Sequence, residues 1–207
     1  LGSEGKVLLT QEKDQDFRDG MPFLGGAAWI DLLNSTLSPD GGVTRLDFLG
    51  APDSFARWLD HADLGARGDL VKDRRAAADL REAMRPEFDR LAAGKGISSA
   101  FLERLNAELI RAPFVRKVAP EGVGRYALNE QPLAPSVGAT AAIALDFARF
   151  IADFEPGRLR HCDNSACTML FYDRGKNNRR RWCSSSACGN RDKVANYRAR
   201  KRAAPKP

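Results

Sequence analysis

The sequence predicts an α+β protein: a mostly helical N-terminal domain with one small β-hairpin, then a compact C-terminal module of a hairpin plus a helix gathered around four cysteines. Three observations carry this. Apolar residues recur at helical spacing in five stretches before residue 155, and all four cysteines stand at 162, 167, 183 and 188, with none earlier. The charge also changes sign: residues 156–207 hold 14 Lys and Arg against 3 Asp, a net +11, whereas residues 1–155 carry −5, together the +6 of the whole chain. A length of 207 residues with 43% hydrophobic content is enough to bury a core, which excludes a disordered chain. With 29% charged residues, no 18-residue apolar run and no basic-then-apolar N-terminus, a cytoplasmic protein without a membrane span is expected.

The elements follow in chain order. In residues 25–37, Trp29, Ile30, Leu33 and Leu37 recur at helical spacing, with Asp31 and Asn34 on another face. Residues 43–49 alternate weakly through Val43, Leu46 and Phe48 and predict a strand. Pro52, Asp53 and Ser54 start a second helix that carries Phe55, Trp58, Leu59 and Ala62. A longer helix from Asp69 to about Ala93 turns Ala77, Leu80, Met84, Phe88 and Leu91 inward, and Pro86 is expected to kink it or end its first part. Gly94, Lys95 and Gly96 break the pattern, and Ser98 opens a helix through Phe101, Leu102, Leu105 and Leu109 that stops before Pro113. Residues 114–118 and 123–128 read as a hairpin around a turn containing Pro and Gly. Residues 137–154 form a helix with Ile143, Phe147, Phe150, Ile151 and Phe154 on one face, ended by Glu155, Pro156 and Gly157. Composition, charge and cysteine content all change there, which divides the chain into domains 1–155 and 156–207.

The cysteines are spaced Cys162-x4-Cys167-x15-Cys183-x4-Cys188. Two close pairs of thiolates brought together make a tetrahedral four-sulfur site, which suits zinc and leaves no open position for water, so the metal is structural. Two disulfides and an iron–sulfur cluster are the alternatives; the lack of a secretory signal and the paired spacing favour zinc. His161 adjoins the first cysteine, but four cysteines already complete the shell. The module has few apolar side chains, so metal binding is expected to supply its folding energy. Residues 169–172 read as a strand, residues 173–178 as a turn, residues 179–183 as the return strand, and residues 189–202 as a helix whose first turn carries the last ligand. That order is treble-clef-like.

Arg191, Ala195, Arg198 and Arg202 share one stripe of this last helix, with Val194 and Tyr197 on the side expected to pack on the hairpin. Lys193, Arg200 and Lys201 add to its charge, and Arg179, Arg180 and Arg181 form a second basic cluster on the neighbouring strand. Guanidinium groups bind phosphate or read guanine, and Asn190 is of the type that reads adenine, so the module is expected to contact nucleic acid.

At these residues the sequence resembles the CGNR zinc-finger family, whose tetrapeptide stands here as Cys188, Gly189, Asn190 and Arg191. The agreement extends to Phe171, Asp173, the run Arg180, Arg181, Trp182, Cys183, Ser184, and Lys193. The resemblance implies a bacterial transcription regulator, described as stress-induced, in which the finger follows an N-terminal α/β domain called ABATE. Over residues 20–155 it rests on Ile30, Asp31, Leu32, Leu33, Asn34 and Ser35, on Trp58 and Leu59, and on the helix leading into the finger. Ser35 stands where threonine is more typical.

The expected function is therefore a zinc-dependent regulator whose finger contacts duplex DNA, while the acidic domain senses a small-molecule or protein effector or forms a homodimer. An RNA-binding protein is the alternative, since Trp182, Tyr172 and Tyr197 are residues that stack on unpaired bases. A second alternative joins a protein-interaction finger to a small-molecule-binding or enzymatic domain. No enzyme is expected: the segment at Gly94 to Ser98 lacks a phosphate-loop pattern, His61 has no catalytic setting, and residues 184–186 have no base. Asp31 and Asn34, one helical turn apart, are the candidate ligand pocket.

Overall fold

The computed structural model describes residues 16–37, 46–64, 69–111, 113–133 and 138–203. The chain enters through a tight hairpin, β1 (Phe17–Arg18) and β2 (Met21–Pro22), turned by Asp19 and Gly20 at positive φ. This hairpin is too short for period-2 alternation to signal it. Helix α1 (Ala28–Asn34) follows, buried from Trp29 to Asn34, and then the short pair β3 (Thr36–Leu37) and β4 (Leu46–Asp47). The strand expected at residues 43–49 is seen from Leu46; residues 43–45 lie outside the described residues.

Helix α2 (Pro52–His61) starts with proline at its first position, where a missing N–H costs nothing. Helix α3 (Leu70–Ala92) is capped by Asp69, whose carboxylate accepts from the N–H groups of Val71 and Lys72. Pro86 does not end it. The proline is on the exposed side, while Met84, Phe88 and Leu91 hold the other side in the core. Helix α4 (Ser99–Ile110) is capped by Ser98, which itself donates from both N–H and Oγ to the buried Glu87 of α3 (2.9 and 2.5 Å). The hairpin β5 (Phe114–Gly122) and β6 (Arg125–Pro132) is longer than expected, with Val118, Tyr126 and Leu128 exposed, and α5 (Ala139–Ala152) closes the domain.

Helices α1, α3, α4 and α5 pack around an aromatic cluster. Trp29 meets Phe147 edge to face at 4.9 Å and Phe88 at 5.8 Å, and Phe101 meets Phe147 at 5.3 Å. Arg81, buried at 3% exposure, is matched by Asp47 (2.8 and 3.0 Å) and by Ser35 Oγ (2.7 Å). Serine at 35 thus presents the hydroxyl that a threonine would.

Strand β7 (Leu159–His161) leads into the cysteine module and pairs antiparallel with β8 (Leu170–Tyr172). That pairing corrects the expected hairpin. Residues 179–183 are not a strand; the chain there bends to bring Cys183 to the other sulfurs, keeping one bond from Asp163 N–H to Arg181 O (2.9 Å). A single wide turn, Ser185–Gly189, leads to α6 (Asn190–Ala203), so Cys188 sits in that turn and not in the first turn of the helix. The fold class remains as predicted, α+β with small hairpins and a C-terminal cysteine cluster.

The module does not stand apart from the helices. Leu159 and Leu170 belong to the same buried core as Trp29 and Phe88, and β8 packs on α1 while β7 packs on α3. Its folding therefore draws on the body's apolar burial as well as on metal.

Candidate metal centre and nucleic-acid interface

Each cysteine is placed by local hydrogen bonding. Cys162 directly follows β7 and donates its N–H to Met169 O (2.9 Å), which closes the loop that carries Cys167. Within that loop Asn164 accepts the Ala166 N–H on its side chain (3.0 Å) and the Cys167 N–H on its carbonyl (2.8 Å). Cys183 donates its N–H to Cys162 Sγ (3.5 Å). Ser184 caps the wide turn by accepting from Ala187 N–H (3.3 Å). Gly189 packs beside the Trp182 ring, where a Cβ would lie 3.4 Å from it, in ordinary contact.

The sulfur atoms all lie within 4.8 Å of one another, with Cys167 and Cys183 3.8 Å apart and Cys183 and Cys188 3.7 Å apart. Zinc–sulfur bonds of about 2.3 Å put the corners of a regular tetrahedron about 3.8 Å apart, so the spacing fits zinc. The electrostatics fit too. The S–H of Cys183 holds the Cys167 thiol down to about 5, whereas that same contact pushes Cys183 up and burial pushes Cys188 up to about 12. A dication at the centre of the cluster would favour the thiolate form of all four sulfurs. Leu24, Met169 and Phe171 pack around them. The four cysteines form a closed, structural zinc site.

Behind the sulfurs lies a polar brace. Asp173, 1% exposed, accepts from Gly175 N–H and Arg180 N–H (both 2.8 Å). Burial works to raise its carboxyl, but those two donors and the nearby Arg160 and Arg180 outweigh it and hold the group below its usual range. Arg160, which sequence reasoning missed, ties Asn178 (2.8 Å) to Arg180 O (3.0 Å). Arg180 itself lies 4.5 Å over Phe171 and donates to the carbonyls of Trp182 (3.0 Å), Leu24 (3.3 Å) and Cys183. Among the nucleic-acid candidates Arg180 thus differs in being half-buried, with its Nε and Nη2 engaged by the protein's own carbonyls.

The other basic candidates are exposed. Arg179, Arg191, Lys193, Arg198, Arg200, Lys201 and Arg202 all face solvent, as does Asn190 at the start of α6. Arg181 is exposed but engaged, bonded to Asp163 Oδ2 (2.7 Å) and lying 4.9 Å over Trp182. Asp163 raises its pKa, and Asp192 in the first turn of α6 adds to that, which places the arginine run beside the root of the helix. Helix α6 packs chiefly on the turn Ser185–Gly189. Val194 and Tyr197 are 39% and 61% exposed, so they do not pack on the hairpin as expected, because β7 and β8 turn their apolar side toward α1 and α3.

The remaining candidates lie in the body. Asn34, 2% exposed, donates Nδ2 to Leu170 O (2.8 Å) and accepts from Leu170 N–H (2.9 Å), so its amide joins α1 to β8 and does not face a pocket. Asp31 accepts from Gly25 N–H (2.7 Å) and lines a cleft. Burial pushes its carboxyl up to about 7. His161 turns away from the sulfurs, its Nε2 2.7 Å from Asp89 Oδ1 and its ring edge-on to Phe88. Of the aromatics proposed to stack on bases, Tyr172 packs edge-on to Phe150 at 5.0 Å and accepts from Glu155 N–H, Trp182 lies between Arg181 and Gly189, and Tyr197 is open. No described helix is long and apolar enough to cross a membrane.

Two family models match the chain. The CGNR zinc finger matches residues 158–201, and ABATE, described as "Putative stress-induced transcription regulator", matches residues 26–153. No curated protein matches it. With more than half its length in the second match and a sulfur cluster of zinc geometry in the first, the chain belongs to the ABATE family and is a zinc-finger regulatory protein with a CGNR finger at its C-terminal end.

Proposed function

We propose that this regulator binds duplex DNA without catalysis, laying α6 in the major groove. One observation carries the reading: α6 is exposed around its circumference and carries Arg191, Lys193, Arg198, Arg200, Lys201 and Arg202 against a single acid, Asp192. A helix with side chains is about 10–12 Å across and the major groove about 12 Å wide, so such a projecting helix fits. The zinc-held turn fixes its root, and Arg179 on the adjoining loop supplies a phosphate contact. Asn190 and Arg191 sit nearest that root, where base edges are met when a helix enters by its N-terminus. The acidic body, net −5, is turned from the polyanion by its own charge.

Competition separates duplex from RNA. Zinc-loaded protein is mixed with labelled genomic duplex fragments and challenged with unlabelled duplex or structured RNA of equal length. Duplex is expected to displace the label at least tenfold more effectively. The absence of salt-sensitive binding to any duplex sinks the reading, and preference for RNA moves it to the alternative.

A further inference from the structure

The hairpin β5–β6 is held at its root and open beyond it. Phe114 packs on Ala141 and Ala142 of α5, and Glu130 pairs with Arg116 (2.8 Å) and with Arg149 (3.7 Å). Past these, Val118, Tyr126 and Leu128 are 68%, 72% and 64% exposed. Among the described residues no third strand joins the pair. A lone two-stranded ribbon is marginal in water, and one with exposed apolar side chains along an open edge is a template for another strand.

The two edges are not equivalent. Leu133 N–H donates to Pro113 O (2.8 Å), one step outside the pair Phe114 and Pro132. Backbone groups alternate from that bonded pair onward, so Lys117 faces Asn129 and Ala119 faces Ala127 inside the ladder. Arg116, Val118 and Pro120 on β5, and Tyr126, Leu128 and Glu130 on β6, therefore turn their backbone groups outward. Pro120 has no N–H to offer and interrupts the β5 edge. The β6 edge is complete through Tyr126, Leu128 and Glu130, whose side chains share one face with Val118.

We propose that the β6 edge pairs antiparallel with the same edge of a second copy of this chain, about a twofold axis at Leu128, joining the two ribbons into one sheet. Leu128 then lies opposite the partner's Leu128 and Tyr126 opposite the partner's Glu130, so each outward N–H and C=O of these residues is met by its symmetry mate. On the shared face, Val118 and Leu128 of both copies form one apolar row across the sheet. Beside that row on either side, Tyr126 meets a Glu130 that Arg116 already neutralises. On the other face Asn129 meets the partner's Ala127, and no like charges stand opposite one another. Other registers fit less well: an axis at Asn129 sets Tyr126 opposite Pro132, which has no N–H, and one at Ala127 carries Glu130 past the end of the partner's strand. The edge is thus its own complement in hydrogen bonding, apolar surface and charge, which is what favours a second copy over an unrelated strand. This gives the expected homodimer a surface, and it does not depend on what the finger binds.

The test uses the full, zinc-loaded chain without nucleic acid. Strand-edge pairing buries less than a standard interface, so sedimentation velocity is run from about 5 to about 500 μM, where a monomer is expected to pass to a closed dimer. Amide exchange read by NMR at the two ends of that range is expected to slow at least tenfold at the upper end for Tyr126, Leu128 and Glu130. Arg116 and Val118, on the opposite edge, are expected not to change. Leu128→Lys places like charges on the axis without touching the ladder inside the hairpin, and should weaken the dimer at least tenfold with zinc content unchanged. A chain that stays monomeric throughout, assembly beyond the dimer, or a dimer without selective protection of the β6 amides overturns the proposal, as does a folded Leu128→Lys that dimerises like the parent. The exchange measurement needs no variant, so a folding defect in Leu128→Lys does not leave the matter open. Since no nucleic acid is present, failure here is distinct from failure of duplex binding.

Discussion

Asp31 and Arg180 show how far a residue's role depends on what surrounds it. Asp31 has a folded pKa of about 7 against an ordinary 3.8, so between those values the folded chain holds a proton that the unfolded chain has released. Stability from this group is therefore present below about pH 4 and is lost as pH rises to about 7, by up to about 4 kcal/mol across that interval. Asp31→Asn keeps an acceptor for Gly25 N–H and cannot ionise, so urea unfolding at pH 5 and pH 8 should give a smaller loss of stability in the variant than in the parent. A parallel loss in both means the carboxyl is not buried as described. The arginine run divides in the same way. Arg180→Ala removes the group braced over Phe171 and should lower zinc affinity and stability, whereas Arg179→Ala should retain zinc and reduce the salt dependence of DNA binding by about one charge. Zinc titration with a competing chelator, beside a salt series of duplex binding, checks both. Sequence gives three adjacent arginines with no means of ranking them, because the carbonyl that Arg180 meets at Leu24 is 156 positions away.

At the scale of elements, α6 is unusual in having no apolar face to bury, and a free helix of 14 residues is marginal in water. Its stability must come from the capped turn at its root and from whatever its cations bind. Six cations, each displacing about 0.9 counterion, predict a slope of log affinity against log salt near −5 for a duplex. Replacing Arg198, Arg200, Lys201 and Arg202 by alanine should reduce that slope by about 3 to 4 without changing zinc content; a flat slope in the parent removes α6 as the contact. The longer helices were legible because their signals are local: Pro52 at a first position, Asp69 and Ser98 as caps, and apolar residues every three to four positions in α3 and α5. Strand β7 was not, since Leu159, Arg160 and His161 alternate too briefly to mark a strand and become one only by pairing with β8. Val194 and Tyr197 misled for a related reason. Spacing of three residues fits a packed face, but no surface is turned toward them.

For the whole molecule, the change of charge and cysteine content near residue 156 reads as a boundary in sequence, yet the hydrogen bonds and the core run across it. The sequence marks composition, and composition does not record that Asn34 closes both backbone groups of Leu170 or that Leu159 shares a core with Phe88. The four zinc ligands were legible because ligand spacing is itself a local pattern; the seam was not, because it is built from pairs more than a hundred positions apart. The seam makes zinc a stabiliser of the body as well as of the finger. In a free zinc module the metal is the folding energy, of order 10–16 kcal/mol, and removing it unfolds the module alone. Here chelation should lower the melting temperature of the body, read by near-UV circular dichroism of the buried Trp29 and Trp58, while a folded core remains. Asn34→Ala should act in reverse: leaving Leu170 N–H and C=O unpaired in the core costs about 2–3 kcal/mol and should weaken zinc binding, although Asn34 touches no sulfur. If the body melts at the same temperature with and without metal, and Asn34→Ala leaves zinc affinity unchanged, finger and body are independent units and the seam transmits nothing.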